Sequence, residues 1–390
     1  MTLEGFRVVE LGVWVAGPSA GGLLADWGAD VIKVEAPSGD PMRRLFAVLA
    51  GHGQTESPPF DLDNRGKRSV VFDLTTEEGR ADARALVATA DVFLTNLRPE
   101  AVDRLGLGAE DLLAATPRLV YASVTGYGRE GPDAHRAGYD VGAFWARTGI
   151  ARSLMPDDQP PIDLRAGMGD HVTGLTILSG ILAALLQRER TGTGQLVETS
   201  LLRTGIYCVG WDLGIRLRFG KLAPTQPRTE IMNPMVNCYQ GSDGAWFWLL
   251  GVESDRLWPK LIEAIERPDL GDDERFATAR ARRHHPGECI AALDEVFAAR
   301  TRGEWIECFD RHDVWWAPAN TQAEVLEDPQ AIAAGAFVDV PGGAFGPAHR
   351  AVATPISFSA DDGARHPGPV PALGEHTDEV RRELRGGDLR

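Results

Sequence analysis

"VVELGVWVAGPSAGGLLADWGADVIKVE", Val8 to Glu35, is the stretch from which the fold can be read. "RVVELG" is an apolar strand that runs into a glycine-containing turn. "SAGGLLADWG" follows as a helix closed by Gly28, and "DVIKVE" is a second apolar strand ending in Glu35. Strand, helix and strand in this order and length form a βαβ unit. The free N–H groups and dipole at such a helix start favour a phosphate. The glycines at 12, 17, 21 and 22 depart from Gly-x-Gly-x-x-Gly, so an ordinary tight βα turn stays as open as a nucleotide site.

Working outward, "SVVFDL", "DVFLTN" and "RLVYASV" read as further strands separated by helical text. One of those helices opens on a capping box in which Thr75 and Glu78 satisfy free N–H groups reciprocally. The alternation predicts an α/β fold with a Rossmann-like parallel sheet. After Gly126 the text becomes loop-rich through Pro132 and "MPDDQPP". "MVNCYQGSDGAWFWLL" then reads as a hairpin turning at Asp243-Gly244, followed by amphipathic helices around "RLWPKLIEAI" and "CIAALDEVFAA". This is a second, smaller α+β unit. "FVDVPGG" and "ATPISFS" return to short strands before a polar tail.

Of the 390 residues, 43% are hydrophobic and 25% charged, as in a soluble globular protein of two or three domains. Forty Lys and Arg against 56 Asp and Glu give a net charge of −16. Such a chain repels polyanions, which argues against nucleic acid and anionic membrane surfaces as partners. A small anion is still admissible, because a local cation cluster outweighs distant charge. Cys208, Cys238, Cys289 and Cys308 are widely spaced with no Cys-x-x-Cys pair, which fits free thiols in the cytoplasm. "MTLEGFRVVELG" enters a strand at once and lacks the pattern of a signal peptide. The most apolar segment, Val172–Leu186, is interrupted by Gly, Thr and Ser, and is shorter than the about 20 residues a membrane span needs.

The nine histidines form no His-Glu-x-x-His, and there is no Gly-x-Ser-x-Gly elbow. No metal site is expected, and carboxylates lead the catalytic candidates. Cations gather at Arg43-Arg44, in the "NRGKRS" loop with Arg65, Lys67 and Arg68, and at Arg98 and Arg104. They suit either phosphates or solvent. In "GMGDHVTG", Asp170 stands at the mouth of an apolar helix. Asp is a favoured N-cap, while Gly167 and Gly169 leave room for a bulky ligand. A carboxylate can also attack an activated acyl group to give a mixed anhydride. The two roles are compatible, and a cap would keep the carboxylate ionised.

Eight segments in order resemble the family III CoA-transferases, which include formyl-CoA transferase and L-carnitine CoA-transferase and share their fold with alpha-methylacyl-CoA racemase. They are "VAGPSAGGLLADWGADVIKVEAPSGDPMR", "NRGKRSVVFDL", "NLRPEAVDRLGL", "PRLVYASVTGYG", "AGYDVGAFWARTG", "GDHVTGLTILSGILAALLQRERTGTGQ", "VLEDPQAIAAGAF" and "PALGEHTDEV". The resemblance spans essentially the whole chain. It implies a large CoA-binding domain from residues 1–205 and 325–390, a small domain at 225–320, linkers at 206–224 and 321–324, and an interlocked homodimer. It also implies Asp170, in the Gly169-Asp170 pair, as the catalytic residue. CoA contacts would fall on Trp14, Val15, Arg43, Lys67, Arg68, Asn96, Arg104 and Arg136, with Tyr139 and His171 as neighbours of the site. The substrates would be an acyl-CoA donor and a small carboxylic acid acceptor. The reaction would pass through an aspartyl anhydride and an aspartyl-CoA thioester, with no permanently bound cofactor.

Two departures bear on the reaction. Where the racemase carries an acid/base histidine in the segment matching "AGYDV", this chain has Tyr139, whose pKa near ~10 suits α-proton transfer poorly. A 2-methylacyl-CoA racemase is therefore the alternative. "TQPRTEIMNPMVN" lacks the glycine run of formyl-CoA transferase, which sets the oxalate and formate pair aside. Trp145, Trp211, Trp246 and Trp248 suggest an apolar acceptor pocket or core packing. The first 35 residues alone would also fit a nucleotide-dependent oxidoreductase or a noncatalytic CoA-binding protein.

Overall fold

The computed structural model describes residues 1–49, 57–343, 346–359 and 367–386. They divide into two compact units, one of residues 1–151, 162–222 and 333–390, the other of 152–161 and 223–332.

The first unit is built on six parallel strands: β1 (Arg7–Leu11), β2 (Asp30–Glu35), β3 (Arg68–Val71), β4 (Val92–Thr95), β5 (Val120–Thr125) and β6 (Leu196–Ser200). Their order is β3-β2-β1-β4-β5-β6, with every neighbouring pair parallel. The central strands are largely apolar because both sheet faces are covered, and the charged Glu10, Lys33 and Glu35 are buried among the apolar residues. Alternate residues go to alternate faces. Val8, Val31, Val92 and Val120 pack under α1 (Ala16–Asp26) and the long helix Met168–Thr191, while Val9, Ile32, Phe93 and Tyr121 pack under the Glu77–Val87 side. The strand order reverses between β1 and β4. In a doubly wound sheet the crevice beyond the carboxyl ends at that point is where ligands bind.

The glycines of the opening stretch serve packing. A Cβ on Gly21 would lie 2.0 Å from a Glu10 carboxylate oxygen, and one on Gly22 would lie 2.7 Å from the Asp63 carbonyl. They let α1 press against the sheet and against α2 (Pro58–Asn64). The helix Met168–Thr191, here α3, has the length and hydropathy of a membrane span. Ile177, Leu178, Ile181, Ala184 and Leu185 are nevertheless buried against the sheet, and Arg188 pairs with Asp91 at 2.9 Å, as in a core helix.

Several local expectations are corrected. The box at Thr75 does not form. Asp73 takes the Thr75 amide and hydroxyl, and Thr76 caps the helix through Gly79 N. Residues 206–222 are not a linker but belong to the first unit, in α4 (Leu201–Cys208) and α5 (Gly210–Phe219). Residues 321–332 belong to the second unit. β10 (Phe337–Val340) pairs antiparallel with β11 (His349–Val352), so the second strand ends before "ATPISFS", where Pro355 lacks an amide to donate. Much of the polar tail is a helix, Thr377–Gly386, with Val380 buried; residues 387–390 lie outside the described part. Of the four free thiols, Cys208 is exposed.

The second unit holds the expected hairpin. β7 (Cys238–Gln240) and β8 (Trp246–Leu249) are antiparallel, Gly244 has φ of +79°, and β9 (Trp316–Pro318) adds a third strand. Its core is aromatic, with Tyr239, Phe247, Phe297, Trp305 and Phe309 in ring contact.

Candidate active site

The β1–α1 turn lies at the switch point and is held from both sides. Asn96, immediately after β4, accepts from Val13 N at 3.0 Å and donates to the Val13 carbonyl at 2.7 Å. Asp40 accepts from Trp14 N and Met42 N. Trp14 is thereby fixed at φ of +65°, a left-handed conformation rare for a large side chain. Its ring meets that of Tyr139 edge-on at 6.0 Å.

Beneath the turn is a fully buried ion network. Lys33 pairs with Glu10 at 2.8 Å and with Asp40 at 3.0 Å, and Lys67 pairs with Glu10 at 2.6 Å. Lys67 also donates to Pro18 O and Asn64 Oδ1, so all three ammonium hydrogens are engaged. Burial lowers the Lys67 pKa to about 8 despite Glu10. Burial opposes the Lys33 charge as well, but Glu10 and Asp40 carry its pKa upward.

The first turn of α3 supplies the reactive candidate. Gly167 turns the chain at φ of +85°, and its amide donates to Asp140 Oδ2 at 2.8 Å. Asp170 is thus the third helical residue and not the cap, because Gly167 and Asp140 take that role. Gly169 is required by contact: a Cβ there would lie 2.5 Å from Phe144 Cγ. Phe144 belongs to a π-helical segment, Asp140–Ala146, of a kind that recurs at functional sites. Asp170 is partly buried, and burial, then the nearby Asp140 charge, raise its pKa to about 7; His171 opposes this and Asp63 adds to it. The cap expected to keep Asp170 ionised is therefore absent, and its environment favours the protonated acid. His171 directs Nε2 to Asp63 Oδ1 at 3.1 Å, beside a cavity of about 270 Å³ that Ser19, Gly22 and Leu175 also line.

A carboxyl poised near neutral pH at a helix start, at the carboxyl edge of a doubly wound sheet, can alternate between acid and nucleophile. The family model for CoA-transferase family III matches residues 3–377. The chain belongs to CoA-transferase family III. It is 31% identical over 385 residues to (R)-2-hydroxy-4-methylpentanoate CoA-transferase of Clostridioides difficile, covering 98% of this chain and 96% of the relative. It is 35% identical over 398 residues to succinate–glutarate CoA-transferase of Agrobacterium fabrum, covering 98% and 95%. Among solved structures, a CAIB/BAIF family protein from Brucella suis superimposes with a TM-score of 0.86 at 35% identity, covering 98% of this chain and 99% of that one.

For a family III CoA-transferase, the expected CoA cations divide sharply. Arg43 is buried, bidentate to Glu35 at 2.7 and 2.8 Å, and donates to Pro371 O. Arg68 opens β3 at the amino edge of the sheet, opposite the α3 start, and is bound to Asp30, Glu379 and Glu383. With Lys67 also engaged, all three of these side chains have internal partners in the fold. Arg98 and Arg104 are exposed and have no ion-pair partner among the described residues; Arg136 is exposed, with Asp133 at 2.7 Å. Val15 is buried at the head of α1. Trp145 is buried and donates to Ile162 O, Trp211 is exposed, and Trp246 and Trp248 lie on β8 of the second unit. Asp63, Asp140 and Glu10 were missed. Asp140 lies inside the quoted "AGYDV", but nothing in the text marks it as the partner of a residue near 167.

Proposed function

We propose that this enzyme transfers CoA between carboxylic acids with Asp170 as the nucleophile. The observation that carries the reading is the environment of Asp170, a carboxyl held by burial near neutral pKa at the first turn of α3. The ionised carboxylate attacks the thioester carbonyl of an acyl-CoA; the C–S bond breaks, giving an aspartyl anhydride and CoA thiolate. The thiolate attacks the aspartyl carbonyl, releasing the donor acid and leaving an aspartyl-CoA thioester. The acceptor carboxylate then attacks that thioester and the steps run in reverse. The positive end of α3 supports both the attacking anion and the oxyanions that follow. No step requires a permanently bound cofactor.

CoA would lie along the Val13–Trp14–Val15 turn and Asn96, with Arg98, Arg104 and Arg136 available to its phosphates. Relatives named for 2-hydroxy acids and for dicarboxylic acids point to acceptors of those classes. Tyr139 in place of a histidine argues against racemisation. A homodimer, with interlocked chains as in the resemblance, is supported by an uncovered apolar face: Tyr207, Trp211, Leu217 and Phe219 are 70–87% exposed, and no residue of α5 is buried. Four unpaired thiols fit a reducing cytoplasm.

The test is transfer from acetyl-, succinyl- and longer acyl-CoA donors to a panel of hydroxy and dicarboxylic acids. Asp170→Ala should abolish transfer of CoA to every acid the wild type accepts. Unimpaired transfer in that variant would sink the mechanism.

A further inference from the structure

His171 has no place in the acyl-transfer chemistry just described, yet its setting is specific. It follows Asp170 on α3, and neighbouring helical residues point about 100° apart, so the two side chains share surroundings without stacking. Its Nε2 meets Asp63 Oδ1 at 3.1 Å. The other ring nitrogen lies on the Gly167 side, where a Cβ would approach Nδ1 to 3.5 Å and where the Gly167 carbonyl favours the protonated ring. Asp63 thus stands as acceptor at Nε2, while the Gly167 carbonyl, which also accepts the His171 amide, adds to the pull toward the protonated ring. A neutral imidazole donates from one nitrogen only, whereas an imidazolium donates from both.

Asp63 is equally unusual. Its side chain is 3% exposed, and its second oxygen, Oδ2, is buried without a hydrogen-bond partner among the described residues. A buried carboxylate without compensation is costly; burial pushes the Asp63 pKa up, and the His171 ring, which its carboxylate contacts, opposes that rise. The other charged groups around the pair are accounted for. Asp140 is anchored to Gly167 N, Asp26 is paired with Arg65 at 2.6 Å beside the cavity, and Lys67 and Glu10 reach Asp63 only through space.

We propose that Asp63 and His171 are a positioning pair for the nucleophile: Asp63 holds the ring as an imidazolium beside Asp170, and that fixed charge keeps the Asp170 carboxylate available for attack. This rests on the reading of Asp170 as nucleophile. The His171 charge counters the two anions, Asp140 and Asp63, that oppose ionisation of Asp170. Burial works against the His171 charge, but Asp63 first, then Asp170, carries its pKa above 6.5, which fits this role.

The test uses the full-length protein labelled at histidine and aspartate and titrated by NMR, with the His171 ring assigned through His171→Asn and the Asp170 carboxyl through Asp170→Asn. In the wild type the ring should titrate above 6.5. Asp63→Asn should lower its midpoint by a unit or more, and Asp63→Glu should recover part of the shift. In His171→Ala the Asp170 midpoint should rise by about one unit, which is tenfold less carboxylate at pH 6. An unmoved ring in Asp63→Asn, or an unmoved Asp170 in His171→Ala, overturns the pair while leaving Asp170 as nucleophile intact. Transfer persisting in Asp170→Ala overturns both.

Discussion

Asp170→Asn should make the protein more stable, and only above acid pH. The unfolded carboxyl titrates near 3.8, whereas burial and the Asp140 charge raise the folded value to about 7. Below pH 3.8 both states hold the proton, and the native environment exacts no electrostatic penalty. Between 3.8 and 7 the unfolded chain has released the proton that the folded chain retains, so wild-type stability falls as pH rises. Above 7 the loss is complete. A rise of about 3 units at about 1.4 kcal/mol each amounts to roughly 4 kcal/mol at pH 8. Asparagine keeps the shape and removes the charge, so it should recover much of that loss. For a chain of 390 residues, this corresponds to a Tm increase on the order of 5 °C at pH 8. The gain should shrink to nothing near pH 4. The assay is thermal unfolding of both proteins at half-unit steps from pH 4 to 8.5, with chemical denaturation at the two ends. A gain independent of pH, or none at pH 8, would refute the reasoning that Asp170 is ionised against its surroundings.

Two further substitutions probe the scaffold. Glu10→Gln removes the anion between two fully buried ammonium groups, Lys33 and Lys67; it should destabilise by about 3–5 kcal/mol, read as a lowered denaturation midpoint. Gly169→Ala places a methyl 2.5 Å from Phe144 Cγ, so the α3 start must move away from the π-helical segment. A modest stability loss of about 1–3 kcal/mol should accompany a drop in kcat on the order of 10²-fold, the usual consequence of an ångström of misplacement. A purely structural role for Gly169 would instead leave kcat unchanged in the folded fraction.

How much was legible in the sequence depends on the range of the cause. The parallel sheet follows from apolar strands alternating with helices, and Asp170 could be found because glycines flank it locally. Its protonation could not be read, since Asp140 and Asp63 reach it only once α2, α3 and the π-helical segment pack together. Lys67 illustrates the same limit. In the text it is a loop cation suited to a phosphate; in the fold its nitrogen is buried among Glu10, Pro18 and Asn64. The text likewise cannot show that Arg68 begins its strand at the edge remote from the site. Glycines 21 and 22, whose pattern left a nucleotide site and an ordinary turn equally open, are consumed by helix packing, because only contact geometry distinguishes the two uses. The Thr75 box failed for a nearer reason, competition from Asp73 two residues away.

The most direct measurement is chemical trapping of the covalent intermediate. Protein incubated with succinyl-CoA, or with the best donor from the panel, is treated with hydroxylamine and digested, and the peptide carrying Asp170 is weighed by mass spectrometry. If Asp170 is the nucleophile, hydroxylamine intercepts its activated carbonyl. The hydroxamate should then appear at Asp170, only when acyl-CoA was present, with matching loss of activity. An unmodified Asp170 in protein that hydroxylamine has inactivated at another residue, or that still transfers CoA undiminished in its presence, would contradict the mechanism.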